Sequence, residues 1–211
     1  MEYPEPVVFV VDDDDSVRIA LARLLRSAGH RVEAFASARE FMAGAGKPAC
    51  PACLVLDIQM PDINGIQLQH ELGNALPIIF ITAHGDIALT VHAMKAGATD
   101  FLAKPVRDAD LLSAVDNALG RARELYASRC ERDALRDRFD RLTPREREVL
   151  ERVATGCLNK QIAIELGTVE QTIKAHRARV MTKMEVTSLA QLVHVIDRMD
   201  ALSPADRRLF P

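Results

Sequence analysis

Several apolar runs in this chain stop at side chains able to do chemistry. "VVDDDDSV" sets Asp12, Asp13, Asp14 and Asp15 directly behind Val10 and Val11, and "CLVLD" stops at Asp57. "PIIFIT" ends in Thr82, and "DFLAK" ends in Lys104 with Pro105 next. Carboxylates gathered in one place repel one another and need a cation among them to stay ionised. Hard oxygen donors of this kind suit Mg²⁺, or Mn²⁺, which also draws ligands from water and phosphate. A lysine facing the acids and a hydroxyl beside them would stabilise an incoming phosphoryl group. A carboxylate can itself accept that group as an aspartyl phosphate. Asp57, opposite the lysine, is the expected nucleophile. Asp12 and Asp13 would point inward as metal ligands, while Asp14 and Asp15 cap and charge the start of the first helix.

These residues meet only if the strands carrying them are neighbours. Strand-like runs fall at 6–12, 31–35, 53–57, 77–82 and 100–104. Between them run helical spacings: Val17, Ala20, Leu21, Leu24, Leu25; Ile66, Leu68, Leu72; Ile87, Val91, Met94; and Leu111, Leu112, Val115, Leu119. Alternation of this kind predicts a doubly wound α/β fold with a five-stranded parallel sheet. Its sites lie at the carboxyl ends of the strands. The first, third and fourth runs are apolar on both faces, as buried parallel strands are.

With 211 residues, 48% of them hydrophobic and 27% charged, the chain can bury enough surface to fold and reads as two domains. No apolar run approaches the roughly 20 residues of a membrane span, and the acidic start has no signal-peptide core. Cys50 and Cys53 form a lone C-x-x-C with no second ligand pair, and are read as small apolar residues near a strand start. Together with the scattered Cys130 and Cys157, this predicts a reduced, cytoplasmic setting. Residues 1–120 carry 16 acids and 9 bases, whereas residues 141–211 carry 9 acids and 12 bases. An acidic front and a mildly basic back imply different partners, the back one being nucleic acid.

The punctuation changes at 143. Residues 106–141 read as one long polar helix with an imperfect stripe of Leu125, Cys130, Leu135, Phe139 and Leu142. That stripe suits either a solvated linker or a short coiled coil. "TPRE" then offers Thr143 as N-cap, Pro144 at N1 and Glu146 at N3, a capping box. The helix it opens would bury Val149, Leu150 and Val153 and end at Gly156. A short helix capped by Asn159 and stopped by Gly167 comes next, then a longer one from near Val169 to about Met184, and a last one over roughly 187–199. A tight glycine turn before a helix rich in Lys, Arg, Gln and His predicts a helix-turn-helix. In the longer helix, Ile173, Val180 and Met184 share a core face flanked by Met181. Gln171, Lys174, Ala175 and Ala178 face away. Gln171 and Lys174 can bond base edges and Ala175 can touch a thymine methyl. Thr172, His176, Arg177, Arg179 and Lys183 are placed for phosphates of double-stranded DNA.

Taken together, "VVDDD", "LVLDIQMPDINGIQL", "IFITAHGD", "AMKAGATDFLAKP" and "LTPREREVL…NKQIAIELG…TIKAHRARVMTKM" resemble a two-component response regulator of the FixJ/StyR type, over nearly the whole chain. The resemblance implies a receiver domain over 1–122, a helical linker over 123–141, a LuxR-like helix-turn-helix domain over 142–202 and a loose tail over 203–211. It implies phosphorylation of Asp57 by a sensor histidine kinase. It also implies that the backbone carbonyl of Gln59 joins Asp12, Asp13 and Asp57 around Mg²⁺, and that Thr82 and Phe101 turn inward as a switch. Lys104 would pair with the phosphoryl oxygens, and Lys104–Pro105 would be a cis peptide. The phosphorylated form would dimerise through the fourth helix, fifth strand and fifth helix, or would release a DNA-binding half that the receiver arrests, and so act on transcription, with RNA polymerase a further partner. His84 stands where many receivers carry smaller residues, and Ala178 where some relatives carry a base-reading lysine. The chain is expected to be a regulator and not an enzyme: a haloacid-dehalogenase-like phosphatase would need an acid where Gln59 stands. A receiver serving only as a passive dimerisation module would usually have lost an acid or Lys104, and here none is lost.

Overall fold

The computed structural model describes residues 4–45, 48–61, 63–83 and 87–202, so His84 and the tail lie outside the described residues. The chain divides into two compact units, residues 1–127 and 128–211.

The first unit alternates β1 (Val7–Val11), α1 (Asp15–Ser27), β2 (Arg31–Phe35), α2 (Ala38–Ala45), β3 (Ala52–Asp57), α3 (Gly65–Leu72), β4 (Ile78–Thr82), α4 (Ile87–Lys95) and β5 (Asp100–Ala103). The helix α5 (Asp108–Asp140) follows and carries the boundary between the units. All pairings are parallel, in the order β2-β1-β3-β4-β5. Successive strand residues face opposite sides of a sheet. Val7, Phe9 and Val11 therefore join the core with Phe41, Leu68, Leu72 and Ala93. Val8 and Val10 join the other core, with Leu21, Leu25, Leu111 and Val115. Both faces being covered explains the unbroken apolar strands.

Two expected stripes differ. In α1, Ala22 is buried and Ala20 exposed. In α4, Val91 and Met94 are 46% and 44% exposed, and Ala93 fills the core position instead. Periodicity alone did not choose the buried side of so short and apolar a helix.

The second unit holds the end of α5, then α6 (Pro144–Ala154), α7 (Asn159–Glu165), α8 (Glu170–Lys183) and α9 (Leu189–Leu202). The Thr143–Glu146 capping box forms as predicted, with Pro144 at the start of α6. Gly156 and Gly167 take φ of 85° and 62° behind α6 and α7, a region where a side chain is costly. The cap of α7 is a correction. Leu158, not Asn159, is the N-cap, and Gln161 Oε1 reaches back to accept from its backbone N–H at 2.8 Å. Asn159 Oδ1 accepts from Arg177 instead, at 3.2 Å. One core unites Leu142, Val149, Leu150, Ile162, Ile173, Val180, Met184 and Leu192. Leu135, Phe139 and Leu142 of the polar-helix stripe are buried, the latter two in this core, whereas Cys130 is exposed.

Candidate functional site

The sheet reverses its winding between β1 and β3, where ligand crevices form at the carboxyl edge. Val11 pairs with Leu56 across these strands, so the next residues along, Asp12 and Asp57, come to the edge side by side. One carboxylate oxygen each from Asp12, Asp13 and Asp57 lies within 4.8 Å of the others. Asp12 and Asp57 are buried and Asp13 is exposed. Hard oxygen donors at this spacing, open on one side, fit a divalent cation that keeps water or phosphate ligands.

Lys104 closes the opposite side. Its Nζ donates to Asp12 Oδ2 at 2.8 Å and to Asp57 Oδ2 at 2.9 Å. Strand β5 brings it there: Thr82 pairs with Ala103, and the Lys104 N–H donates to the Thr82 carbonyl at 2.7 Å. The Lys104–Pro105 peptide is cis, as the resemblance implied. Burial pulls the Lys104 ammonium down, but the bonds and charges of Asp12 and Asp57 outweigh it and hold it above its ordinary range. Asp12 shows the reverse balance. Burial pushes its carboxyl up, further than Lys104 and the Asp14 N–H draw it down.

Thr82 is fully buried at the end of β4. Phe101 pairs in register with Phe80 and is half-buried against the core. Asp57 Oδ1 accepts from the Gln59 N–H at 3.2 Å, which fixes the backbone just beyond the expected acceptor. The remaining aspartates divide as expected: Asp14 is the N-cap of α1, accepting from the Ser16 and Val17 N–H groups, and Asp15 lies in the first turn.

Two contributors escaped the sequence reading. Arg18 donates to the Asp12 carbonyl at 2.7 Å while pairing with Asp15, so it braces the loop that carries the acids. Gly65 lets α3 approach β3 closely: a Cβ there would stand 2.6 Å from the Asp57 carbonyl oxygen and 3.0 Å from Ile58 Cα. "DINGIQL" hinted at the glycine, but only the packing shows what it touches. An open cleft of about 540 Å³, lined by Val17, Ala20, Leu21, Pro105 and Val106, flanks Lys104.

In the second unit, Ile173, Val180 and Met184 of α8 are buried and Met181 packs against their core. Gln171, Lys174, Ala175, Ala178 and Arg179 are exposed; Thr172, His176 and Arg177 are half-buried. The Nδ1 of His176 is buried without a hydrogen-bond partner. Lys174 pairs with Glu170 at 3.1 Å on the exposed face, a contact that solvent makes cheap to exchange. Lys183 differs from the rest. Its Nζ donates to Glu146 Oε2 at 2.6 Å and to the Arg141 carbonyl at 3.0 Å, both within this unit.

Comparison with known proteins places both sites in known families. "Response regulator receiver domain" matches residues 8–116, and "Bacterial regulatory proteins, luxR family" matches residues 140–196. The chain is 45% identical over 202 residues to response regulator protein TmoT of Ectopseudomonas mendocina, covering 94% of this chain and 91% of the relative. It is 44% identical over 202 residues to transcriptional regulatory protein FixJ of Azorhizobium caulinodans, covering 94% and 95%. A solved structure of response regulator StyR superposes with a TM-score of 0.78 at 48% identity, over 92% of this chain and 100% of the other. With an acidic pocket closed by a lysine in one unit and a helix-turn-helix in the other, the chain belongs to the transcriptional response regulators of two-component systems, a receiver domain joined to a LuxR-type DNA-binding domain.

Proposed function

We propose that Asp57 accepts a phosphoryl group from the phosphohistidine of a sensor kinase. The P–N bond of the donor breaks as an oxygen of the Asp57 carboxylate bonds to phosphorus. Asp12, Asp13 and Asp57, with the Gln59 carbonyl, would hold a divalent cation, Mg²⁺ or Mn²⁺, whose charge offsets the carboxylates and the arriving phosphoryl oxygens. Lys104 releases its bond to Asp57 Oδ2 and pairs with a phosphoryl oxygen while keeping Asp12. The kinase approaches from the open side, where Asp13 is exposed and the apolar cleft flanks Lys104.

The observation that carries this reading is the shared Lys104 ammonium. It holds the buried Asp57 carboxylate in position, as an acceptor of an electrophilic phosphorus must be held. Thr82 and Phe101, on adjacent strands, supply the switch: the Thr82 hydroxyl turns to the phosphoryl group and Phe101 moves into the space behind it. The switched receiver pairs with a second copy through the face of α4, β5 and α5, where Val91 and Met94 are exposed. Two recognition helices then meet two half-sites. In each, Gln171, Lys174, Ala175 and Ala178 face base edges, and Thr172, His176, Arg177 and Arg179 reach phosphates. The functional division is a receiver over 1–122, a linker over 123–141 and a DNA-binding part over 142–202. The dimer recruits RNA polymerase and activates transcription.

Acetyl phosphate with and without Mg²⁺ tests the reading, with intact mass and sedimentation as readouts. A gain of one phosphate that requires Mg²⁺, disappears in Asp57→Asn and raises the oligomer mass is expected. Phosphate gained equally by Asp57→Asn would overturn the assignment.

A further inference from the structure

Lys183 sits in the last turn of α8, where a basic side chain is expected to reach for a DNA phosphate. Its surroundings lead elsewhere. The Glu146 carboxylate that takes its ammonium is almost fully buried, and the same carboxylate accepts from the Thr143 N–H at 2.9 Å. Glu146 thus closes the N-terminus of α6 and grips the C-terminal end of α8 with a single group. A second contact lies two residues past the helix. Glu185 takes φ of 56°, a left-handed conformation in which glycine is the cheaper residue. Its carboxylate is met by Arg138 at 2.8 Å and Arg141 at 3.7 Å, both from the end of α5 and the turn behind it. Arg141 also offers its carbonyl to Lys183 at 3.0 Å. Five side chains, from the end of α5, the start of α6 and the end of α8, therefore meet at one end of the recognition helix, while its apolar face is held separately by Ile173, Val180 and Met184.

The apolar face fixes how close α8 lies to its neighbours, but apolar attraction has no direction of its own. Charge-assisted hydrogen bonds do. We propose that Glu146 and Lys183, with Glu185 and its two arginines, form a clamp that sets the pitch and rotation of α8, and that Lys183 is a positioning residue and not a phosphate contact. The inference rests on the reading of α8 as the DNA-facing helix.

The two roles separate in salt dependence. Each phosphate contact contributes about 0.9 to the slope of log K against log salt on duplex DNA. The full-length chain would be titrated with a scrambled 30-base-pair duplex, and with a duplex of the same length selected from a random pool on the wild type. In Lys183→Met the slope on the scrambled duplex is expected to match wild type. Its preference for the selected duplex should fall roughly five- to tenfold, the worth of one lost base contact. Arg179→Met, on the exposed face, should lower the slope by about 0.9 and keep the preference. Because Lys183→Met alone could loosen the fold, the charge exchange Glu146→Lys with Lys183→Glu serves as a second variant. Recovery of preference by the exchange supports the clamp. A lower slope in both single variants would make Lys183 a phosphate contact and overturn the clamp, leaving α8 on DNA. An unchanged slope in both would remove α8 from the DNA and the clamp with it. Full preference retained in Lys183→Met would reduce the ion pair to a stabilising contact and also overturn the proposal.

Discussion

Lys104 on the β5 edge and Asp57 at the end of β3 are joined by a 2.9 Å hydrogen bond that spans the intervening strand β4. The bond reaches over Thr82, whose carbonyl holds the Lys104 backbone. Buried carboxylate, counter-charge and buried hydroxyl thus share one edge of the sheet. A change at any of them is felt by the others within a hydrogen bond or two.

Removing the lysine charge should strengthen the site for metal and weaken it for chemistry. Lys104→Met leaves three carboxylates without their resident cation. Mg²⁺ should then bind at least roughly tenfold tighter, since a unit positive charge about 4 Å away costs a divalent cation about 2 kcal/mol even at the dielectric of water. Phosphorylation by acetyl phosphate should fall about tenfold or more, because the phosphoryl oxygens lose their partner. Calorimetric titration at fixed ionic strength and intact mass would measure both. Unchanged Mg²⁺ affinity would mean that the ammonium is not felt at the acids.

Asp12 should cost the metal-free protein stability at neutral pH. Burial holds its carboxyl above the ordinary 3.8, so the folded state binds the proton more tightly than the unfolded one. That contribution is fully present below pH 3.8 and is lost as pH rises through the raised folded value. Asp12→Asn should therefore gain about 0.5–2 kcal/mol at pH 7 without metal, a rise of a few degrees in Tm. The gain should shrink toward zero below about pH 4. Saturating Mg²⁺ should narrow or reverse it, since only the wild type keeps its full ligand set. Thermal melts across pH would decide, and a less stable Asn variant at pH 7 would contradict the argument.

Gly65 has no room for a methyl group. The two nearest atoms an alanine Cβ would meet, the Asp57 carbonyl oxygen and Ile58 Cα, are backbone, so β3 or α3 must shift. Gly65→Ala should cost about 1–3 kcal/mol, as overpacking does. It should also slow phosphorylation by displacing the carbonyl of Asp57 itself. A variant with wild-type melting and phosphorylation would show that the two elements separate easily.

Glu146 should give the DNA-binding unit an acid-sensitive stability. Burial alone would raise its carboxyl, but the Lys183 ammonium and the two Thr143 bonds prevail and hold it below the ordinary 4.5. With a lowered folded value, the contribution is present above pH 4.5 and is lost as pH falls through that folded value. Glu146→Gln should cost about 1–3 kcal/mol at pH 7, since it leaves Lys183 partly unpaired. The gap to wild type should close in acid. A gap that stays constant from neutral pH to pH 3 would show that shape, not charge, matters at this position.

Much of the site was legible because its signals are local. Acids at strand ends, the Asp14 cap and the Thr143–Glu146 box each depend on a few consecutive residues. The parallel sheet followed from apolar runs whose two faces are both covered. The misreadings arose where a residue had a better distant partner. Asn159 has the right chemistry for a cap but bonds Arg177, 18 residues away, and Gln161 takes over the capping. Lys183, expected at a phosphate, also has a partner the linear string does not show: Glu146, 37 residues earlier. Short, apolar α4 offered more than one plausible inner face, and small Ala93 filled the space where Val91 and Met94 were expected.

By itself, then, the sequence determined the order of elements, the chemistry stored at their ends and the family to which both halves belong. Those properties come from short-range periodicity and capping, which a linear string displays. Folding decided which stored charges neutralise one another. Lys104 meets Asp12 across 92 residues and Asp57 across 47, contacts that exist only once strand order and register are set. The physical reason is the steep distance dependence of charge and hydrogen bonding: a partner is chosen by ångströms in space, and separation along the chain does not encode them.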